Sequence, residues 1–152
     1  TEQPELWIDP FIEAGSDRII FYLDQAQTNV DRTVLLINRL KSQSISIGIS
    51  LAVEQPVTLI EPYLAQLDLV CVLGIPLNVK GVHDIAENTC QKIRDLVALR
   101  NRDNLAFEIE ADGAIRQHTV PQLRQVGADI VVPGSLIFQG DMAQMSQWLR
   151  SL

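Results

Sequence analysis

The sequence predicts an α/β fold built on a parallel sheet. Short β-branched and aromatic runs alternate with segments of helical periodicity, and successive strands follow at intervals of roughly 22 to 38 residues. Spacing of that kind is typical of right-handed βαβ units, which place neighbouring strands parallel. The 152 residues, 47% of them apolar, suffice for one globular domain with a sizeable core.

The chain is predicted to open with a helix and a strand. Gln3 to Ala14 carries its apolar residues at helical spacing and stops at Gly15, which favours a helix end. Arg18–Leu23 is a short β-branched and aromatic run, which is typical of a buried strand.

A helix, a strand and a further helix follow. Asn29 or Asp31 can cap a helix whose apolar side chains share one face: Val34, Leu35, Ile37 and Leu40. Ser46–Leu51 is predicted to be the next strand. Pro56 suits the first turn of another helix, which the pattern extends to about Ala65.

The rest of the chain repeats the alternation. A strand over Leu67–Leu73 leads into a loop that contains Gly and Pro. The predicted elements after this loop are, in order, a helix His83–Arg100, a strand Leu105–Glu110, a helix Thr119–Gln125, a strand Asp129–Val132 and an amphipathic helix Asp141–Leu152.

Charge and composition exclude several classes of function. With 12 basic and 19 acidic side chains the net charge is −7, which argues against a nucleic-acid partner. No stretch approaches the roughly 18 apolar residues that a membrane span requires. Thr1–Glu5 lacks the apolar core of a signal peptide, so the cytoplasm is the expected compartment. Cys71 and Cys90 are expected to fill the core, and neither a disulfide framework nor a thiolate metal site is indicated.

Two architectures fit this pattern. Five strands in about 150 residues suit a flavodoxin-like doubly wound sheet, whereas a closed (β/α)₈ barrel usually takes about 250 residues. A strand order other than sequential neighbours would establish the doubly wound sheet. Length alone favours the open sheet, but the residues at the strand ends favour the barrel.

The carboxyl ends of the strands are where parallel α/β folds carry their chemistry. Gly134-Ser135 follows the strand Asp129–Val132 and opens a short helix, so its N–H groups can hold a phosphate. Asp112-Gly113 follows another apolar strand and puts a carboxylate beside a turn. Because the chain is acidic, backbone N–H groups are expected to bind an anion here without a basic surface.

At these motifs the chain resembles the ribulose-phosphate 3-epimerase family, which are phosphate-binding (β/α)₈ barrels. The family's Val-Asp-Gly-Gly-Ile stretch, Gly-Ala-Asp step and Ala-Gly-Ser turn correspond here to Ala111–Ile115, Gly127–Asp129 and Pro133–Ser135. Earlier family segments are resembled by Gln3–Ile8 with Ala14–Asp17 and by Gly48–Leu51 with Gln55–Val57, so the resemblance runs from Thr1 to about Phe138. It places Thr1 just after the third strand, which implies an incomplete barrel with about five of the eight strands.

The resemblance implies an enzyme that epimerises a ketose phosphate at C3 through an enediolate, with a divalent metal ion to stabilise it. Asp112 matches a family residue that is both metal ligand and general acid/base. The positions that correspond to phosphate-binding residues are Gly81, Gly113, Ala114, Gly134 and Ser135. The metal, which is Zn, Fe, Mn or Co, would be incompletely ligated by this chain, because most of the family's metal ligands belong to its first three βα units.

Several matched positions depart from the family pattern. Tyr22 stands in place of a histidine, Asp24 stands where a glutamate is common, and Ala52 replaces an asparagine. The glycine-rich loop is reduced to Asn78-Val-Lys80-Gly81, in which the lysine is expected to be solvated. These departures keep open an alternative, a non-catalytic or degenerate family member that binds a phosphosugar.

The histidines and the outer strands give further expectations. His83 and His118 lack the spacing of a metal-ligand pair and are expected to be exposed polar residues. The expected partner is a small sugar phosphate, with no nucleic acid and no membrane. A homo-oligomer or a missing amino-terminal segment is expected to cover the open edges of the barrel.

Overall fold

The computed structural model describes residues 4–23, 30–77, 79, 81 and 84–151. Its helices are α1 Glu5–Glu13, α2 Val30–Ser42, α3 Thr89–Arg102, α4 Val120–Val126, α5 Gly134–Ile137 and α6 Met142–Ser151. Its strands are β1 Arg18–Tyr22, β2 Ser46–Leu51, β3 Leu69–Leu73, β4 Glu108–Asp112 and β5 Ile130–Val132. In this part of the chain, no helix is both long and apolar enough to cross a membrane.

The five strands form one parallel sheet in the order β1-β2-β3-β4-β5. Strands and helices alternate along the chain, which confirms the predicted α/β class. Every strand pairs with its neighbours in sequence, as strands of a (β/α)₈ barrel do. A doubly wound sheet reverses its strand order at a switch point, so that alternative was wrong.

The two faces of the sheet have different neighbours. On one face, strand residues such as Ile49 and Val70 share a core with helix residues such as Leu40 and Leu96. On the other face lies a smaller cluster of strand residues: Leu69, Cys71 and Leu73, with Tyr22 and Ile130 packed against them. Among the residues that the structure describes, helix side chains thus join the core on one face, which is the layering of a barrel wall.

The segment after β2 forms two short 3₁₀ helices, Val57–Leu59 and Glu61–Gln66. The predicted α-helix from Pro56 to Ala65 was therefore wrong. Pro62 lies in the first turn of the second 3₁₀ helix and has no N–H to donate to the carbonyl four residues earlier. One α-helix cannot run through this residue without losing that hydrogen bond.

The amino-terminal ends of three helices differ from the predictions. Helix α1 was predicted from Gln3, which lies outside the described residues. Helix α2 begins at Val30, so Asp31 lies in its first turn and is not its cap, and Asn29 is also outside the described residues. Asp141 caps α6 instead of belonging to it, because its Oδ1 accepts the N–H groups of Ala143 and Gln144 at 2.8 and 3.1 Å.

Helix α3 begins at Thr89, later than the predicted start at His83, a residue outside the described part of the chain. The Ala86 N–H donates to the Gly74 carbonyl at 2.7 Å. This bond holds the segment against the end of β3, so the helix starts only after it.

Strand β4 also starts later than predicted, at Glu108 instead of Leu105, and it ends on Asp112. The Phe107 carbonyl, directly before the strand, accepts a hydrogen bond from Arg100 Nη1 at 3.0 Å. The first ladder contact is made by the Glu108 N–H, which donates to the Asp68 carbonyl at 2.9 Å.

Two aspartates close the amino-terminal edge of the sheet in the same way. Asp68, just before β3, accepts the Ile47 N–H with Oδ2 at 2.8 Å. Asp129, just before β5, accepts the Ile109 N–H with Oδ2 at 2.8 Å. Each carboxylate thereby satisfies a backbone donor where the preceding strand begins. The Gly-Ala-Asp step that resembles the family thus has a structural role at this edge.

Candidate active site

A cavity of about 300 Å³ opens at the carboxyl-terminal edge of the sheet. It is lined by every residue that the sequence proposed for the site: Gly81, Asp112, Gly113, Ala114, Gly134 and Ser135. These residues come from the loop after β3 and from the ends of β4 and β5. The fold brings them together because neighbouring parallel strands end at one edge.

Asp112 is the last residue of β4 and stands between Leu73 and Val132 on the neighbouring strands. Its side chain is half-buried at the wall of the cavity. The Asp112 carbonyl accepts the Gly74 N–H at 2.6 Å, so the backbone that carries this carboxylate is fixed to the end of β3. The side chain is thus held at the cavity and not on a mobile loop.

The turn after Asp112 requires left-handed backbone. Gly113 has φ +93° and Ala114 has φ +52°. A Cβ atom on Gly113 would lie 2.8 Å from Ile75 Cγ1, so a larger residue fits neither the backbone nor the space. Ala114 adopts its conformation at a cost in strain, because L-residues with a Cβ disfavour the left-handed region.

The Thr119 side chain holds this turn through two hydrogen bonds. Its Oγ1 donates to the Ala114 carbonyl at 3.0 Å and accepts the Arg116 N–H at 2.8 Å. The residue is fully buried just before α4. Sequence reasoning missed Thr119, although a hydroxyl residue directly before a helix is a recognised signal for a local hydrogen-bonding role.

Arg116 also lines the cavity and was missed by the sequence reasoning. Its Nη1 donates to Ser135 Oγ at 3.2 Å and to the Ile115 carbonyl at 2.9 Å. The side chain therefore spans from the loop after β4 to the start of α5. The signal was a basic residue in a strand-to-helix loop that carries an anion motif. A basic side chain thus lies at the cavity where the sequence predicts anion binding by backbone N–H groups without a basic surface.

The face of the sheet that leads to the cavity holds a buried thiol. Cys71 pairs in register with Ser50 on β2 and Glu110 on β4. Burial, and after it the negative charge of Glu110, raises the pKa of the Cys71 thiol to about 12. A neutral thiol is a poor nucleophile, so Cys71 fills the core as predicted. Cys90 is half-buried, and both cysteines are free.

Lys92 fixes the turn after β2 at the same edge of the sheet. Its Nζ donates to the carbonyl oxygens of Ala52 and Val53, both at 2.6 Å. The side chain is buried, and this burial lowers the pKa of the ammonium group. Ala52 is buried too, and Tyr22 ends β1, so these two of the residues that depart from the family pattern lie near this edge.

The remaining residues of the sequence hypotheses lie elsewhere. The His118 side chain is 59% exposed, and its Nε2 is 3.7 Å from Asp84 Oδ1, which agrees with an exposed polar role. Val79 lines the cavity beside Gly81, whose φ is +74°. Asp24, Asn78, Lys80 and His83 fall outside the described residues.

Comparison with known proteins identifies the family of this chain. The ribulose-phosphate 3 epimerase family matches residues 1–138. The chain is 31% identical to the ribulose-phosphate 3-epimerase of Treponema pallidum, over 94% of this chain and 63% of that protein. It is 30% identical to the one of Aquifex aeolicus, over 99% of this chain and 66% of that protein. It is 28% identical to the one of Bacillus subtilis, over 90% and 61%.

The chain thus spans about two thirds of the length of the curated relatives that it matches. The match covers all five strands and the cavity at their carboxyl ends. The strand order, and the packing of helices on one face among the residues that the structure describes, are those of a (β/α)₈ barrel wall. This chain belongs to the ribulose-phosphate 3-epimerase family.

Proposed function

We propose that this chain carries part of a ketose-phosphate 3-epimerase site, with Asp112 as general acid/base and the surrounding turns as the phosphate site. One observation carries the proposal: the carboxylate and all the predicted phosphate residues line one cavity. The curated relatives bear the name ribulose-phosphate 3-epimerase, which supports a pentulose phosphate as substrate.

Asp112 would carry out one of the two proton transfers that epimerisation requires. Epimerisation beside a ketone needs a base on one face of C3 and an acid on the other. The Asp112 carboxylate takes the C3 proton, the electron pair of the C–H bond forms the enediolate, and a second acid returns a proton to the opposite face. The resemblance puts that second carboxylate in an earlier βα unit of the family.

The phosphate would be held by backbone groups of Gly81, Gly113, Ala114, Gly134 and Ser135. These residues supply turns in which little side chain separates a ligand from the N–H groups. Gly113 is the strictest position, because Ile75 leaves no room for a Cβ atom there. The distance between the reacting carbon and the phosphate is then set by the loops after three neighbouring strands.

The divalent metal that the resemblance implies has only one proposed ligand here, Asp112. Among the described residues, no three His, Cys, Asp or Glu side chains are close enough together to hold a metal ion. This part of the chain therefore does not fit a complete metal site, and the proton transfer is assigned to the carboxylate alone.

The test is proton exchange at C3 of ribulose 5-phosphate in deuterated water, followed by NMR with and without added Mn²⁺ or Zn²⁺. We expect exchange when the family's earlier βα units, which carry the second carboxylate, complete the barrel, and a loss of about 10²- to 10⁴-fold in Asp112→Asn, as for removal of a general base. Glu108→Gln is the matched control, because Glu108 lies at the other end of the same strand. Its exchange rate should equal that of the wild type.

Phosphate binding, measured by calorimetry, separates the two family hypotheses. Binding without exchange, lost in Gly134→Asp, would support the non-catalytic phosphosugar-binding alternative. Exchange that survives Asp112→Asn would remove Asp112 from its catalytic role. Absence of both binding and exchange in the wild-type chain would contradict the proposed site.

A further inference from the structure

We propose that the Arg116 guanidinium binds the substrate phosphate directly and makes the site select phosphorylated ketoses over uncharged ones. This inference rests on the proposed function, because it concerns the same cavity. It assigns part of the phosphate binding to a side chain, whereas the sequence analysis predicts phosphate binding by backbone N–H groups.

The position of Arg116 is the first argument. The residue lines the cavity together with Gly113 and Gly134. Its Nη1 lies 3.2 Å from Ser135 Oγ, so the guanidinium reaches across from the turn after β4 to the turn after β5. A phosphate held between these two turns would lie within hydrogen-bonding reach of the same group.

Charge is the second argument. The chain has a net charge of −7, and Asp112 adds a carboxylate to the cavity wall. Of the described residues that line the cavity, Arg116 is the only one with a positive charge. A phosphate dianion would otherwise enter a negatively charged site. Arg116 offsets that repulsion, and a guanidinium matches phosphate oxygens with two parallel N–H donors.

Arg116 is also fixed in place by hydrogen bonds within its own loop. Its backbone N–H is bound to buried Thr119, and its Nη1 also donates to the Ile115 carbonyl at 2.9 Å. The side chain is half-buried. A group already held near its binding position loses little freedom when a ligand arrives. Arg116 is therefore prepared for an anion in a way that a long solvated side chain is not.

The test is titration of the chain with inorganic phosphate, and with ribulose 5-phosphate, by calorimetry. Arg116→Gln removes the charge and keeps a polar side chain, and we expect the Kd for both ligands to rise about 10-fold or more. Arg116→Lys keeps the charge without the planar fork and should fall between the two. Arg124→Gln is the matched control, since Arg124 is exposed on α4, and its Kd should stay within about 2-fold of wild type.

Salt dependence gives a readout that a purely structural role would not change. Raising NaCl from about 20 to about 200 mM should weaken phosphate binding more in the wild type than in Arg116→Gln. A Kd for Arg116→Gln within about 2-fold of wild type would overturn the inference and leave the proposed function standing. If that variant does not fold, Arg116→Lys decides: weaker binding supports the inference and unchanged binding overturns it. Absence of phosphate binding by the wild type would instead count against the proposed function.

Discussion

The two ends of β4 are stabilised by different groups. At the amino end, Glu108 pairs with Arg18 at 3.2 Å, and Asp129 accepts the Ile109 N–H while pairing with Arg100 at 2.6 Å. At the carboxyl end, the contacts are uncharged: the Gly74 N–H donates to the Asp112 carbonyl, and the buried Thr119 hydroxyl donates to the Ala114 carbonyl.

Within β4, ion pairs therefore stabilise the amino end, whereas the carboxyl end lies at the cavity. Charged side chains at the amino end are engaged with the protein itself. At the carboxyl end, Asp112 and Arg116 line the cavity, and Arg116 Nη1 donates to Ser135 Oγ across it. Barrels of this kind carry stability at the amino-terminal edge of the sheet and catalysis at the carboxyl-terminal edge, and the role proposed for Asp112 follows that division.

The largest expected effect comes from disturbing the backbone contact at the carboxyl end. A Cβ atom on Gly74 would lie 2.4 Å from the Gly113 carbonyl oxygen. Gly74→Ala should therefore lower the free energy of unfolding by about 3 kcal/mol and weaken phosphate binding, because Gly113 must move. Urea unfolding and calorimetry measure the two effects. Gly140→Ala, with nothing within 4 Å of its Cβ position, should change stability by less than about 0.5 kcal/mol.

The next effect concerns the side chains at the amino end. Asp129→Ala leaves the Ile109 N–H without its carboxylate acceptor and Arg100 without its partner. We expect a loss of about 2 kcal/mol in urea unfolding, with phosphate binding unchanged. Asp112→Ala, at the other end, should cost less than about 0.5 kcal/mol. Equal losses in the two variants would contradict the division between the ends.

The free energy of unfolding should depend on pH through the Cys71 thiol in the middle of the sheet. The unfolded Cys71 thiol titrates near its ordinary pKa of 9.0, whereas burial raises the folded pKa to about 12. The unfolded state thus loses its proton first, and stability present below pH 9 is lost as the pH rises toward 12. From about pH 8 to about pH 10, the stability difference between wild type and Cys71→Ala should narrow by about 1.4 kcal/mol. If the stability difference between wild type and Cys71→Ala stayed constant over this pH range, burial would not raise the pKa of the Cys71 thiol.

The smallest effect is a gain at the turn after β4. Ala114 holds φ +52°, a conformation that glycine adopts without strain. Ala114→Gly should raise the free energy of unfolding by up to about 1 kcal/mol. Ala98→Gly, at an exposed position inside α3, should lower it by about 1 kcal/mol, and both are measured by urea unfolding. A loss in Ala114→Gly would mean that the turn is held by more than its backbone conformation.

Local sequence predicted β1, β2, β3 and β5 well because each contains two or more β-branched residues. The bounds of Ser46–Leu51 are those of β2. Elements that depend on distant partners were predicted less well. The late start of α3 follows from a bond between Ala86 and Gly74, and that of β4 from one between Arg100 and Phe107. No periodicity carries such information.

The candidate site was predicted from sequence motifs, so residues that lie outside those motifs were missed. Asp112, Gly113 and Gly134-Ser135 stand in a pattern with fixed spacing, and the sheet register then brings them to one cavity. Arg116 and Thr119 belong to no such pattern. Their roles appear only when the two loops face each other, since Arg116 contacts a residue 19 positions away.

The paired aspartates at the amino-terminal edge bear on how the chain folds. The Asp68 and Asp129 bonds to the preceding strands join residues 21 and 20 positions apart, whereas the Arg18–Glu108 ion pair joins residues 90 positions apart. Short loops cost less entropy to close and form sooner. The pairs β2–β3 and β4–β5 can therefore form early as separate local units, each held by its own carboxylate. The ion pair between β1 and β4 closes the longest of these loops, so it costs the most entropy to form.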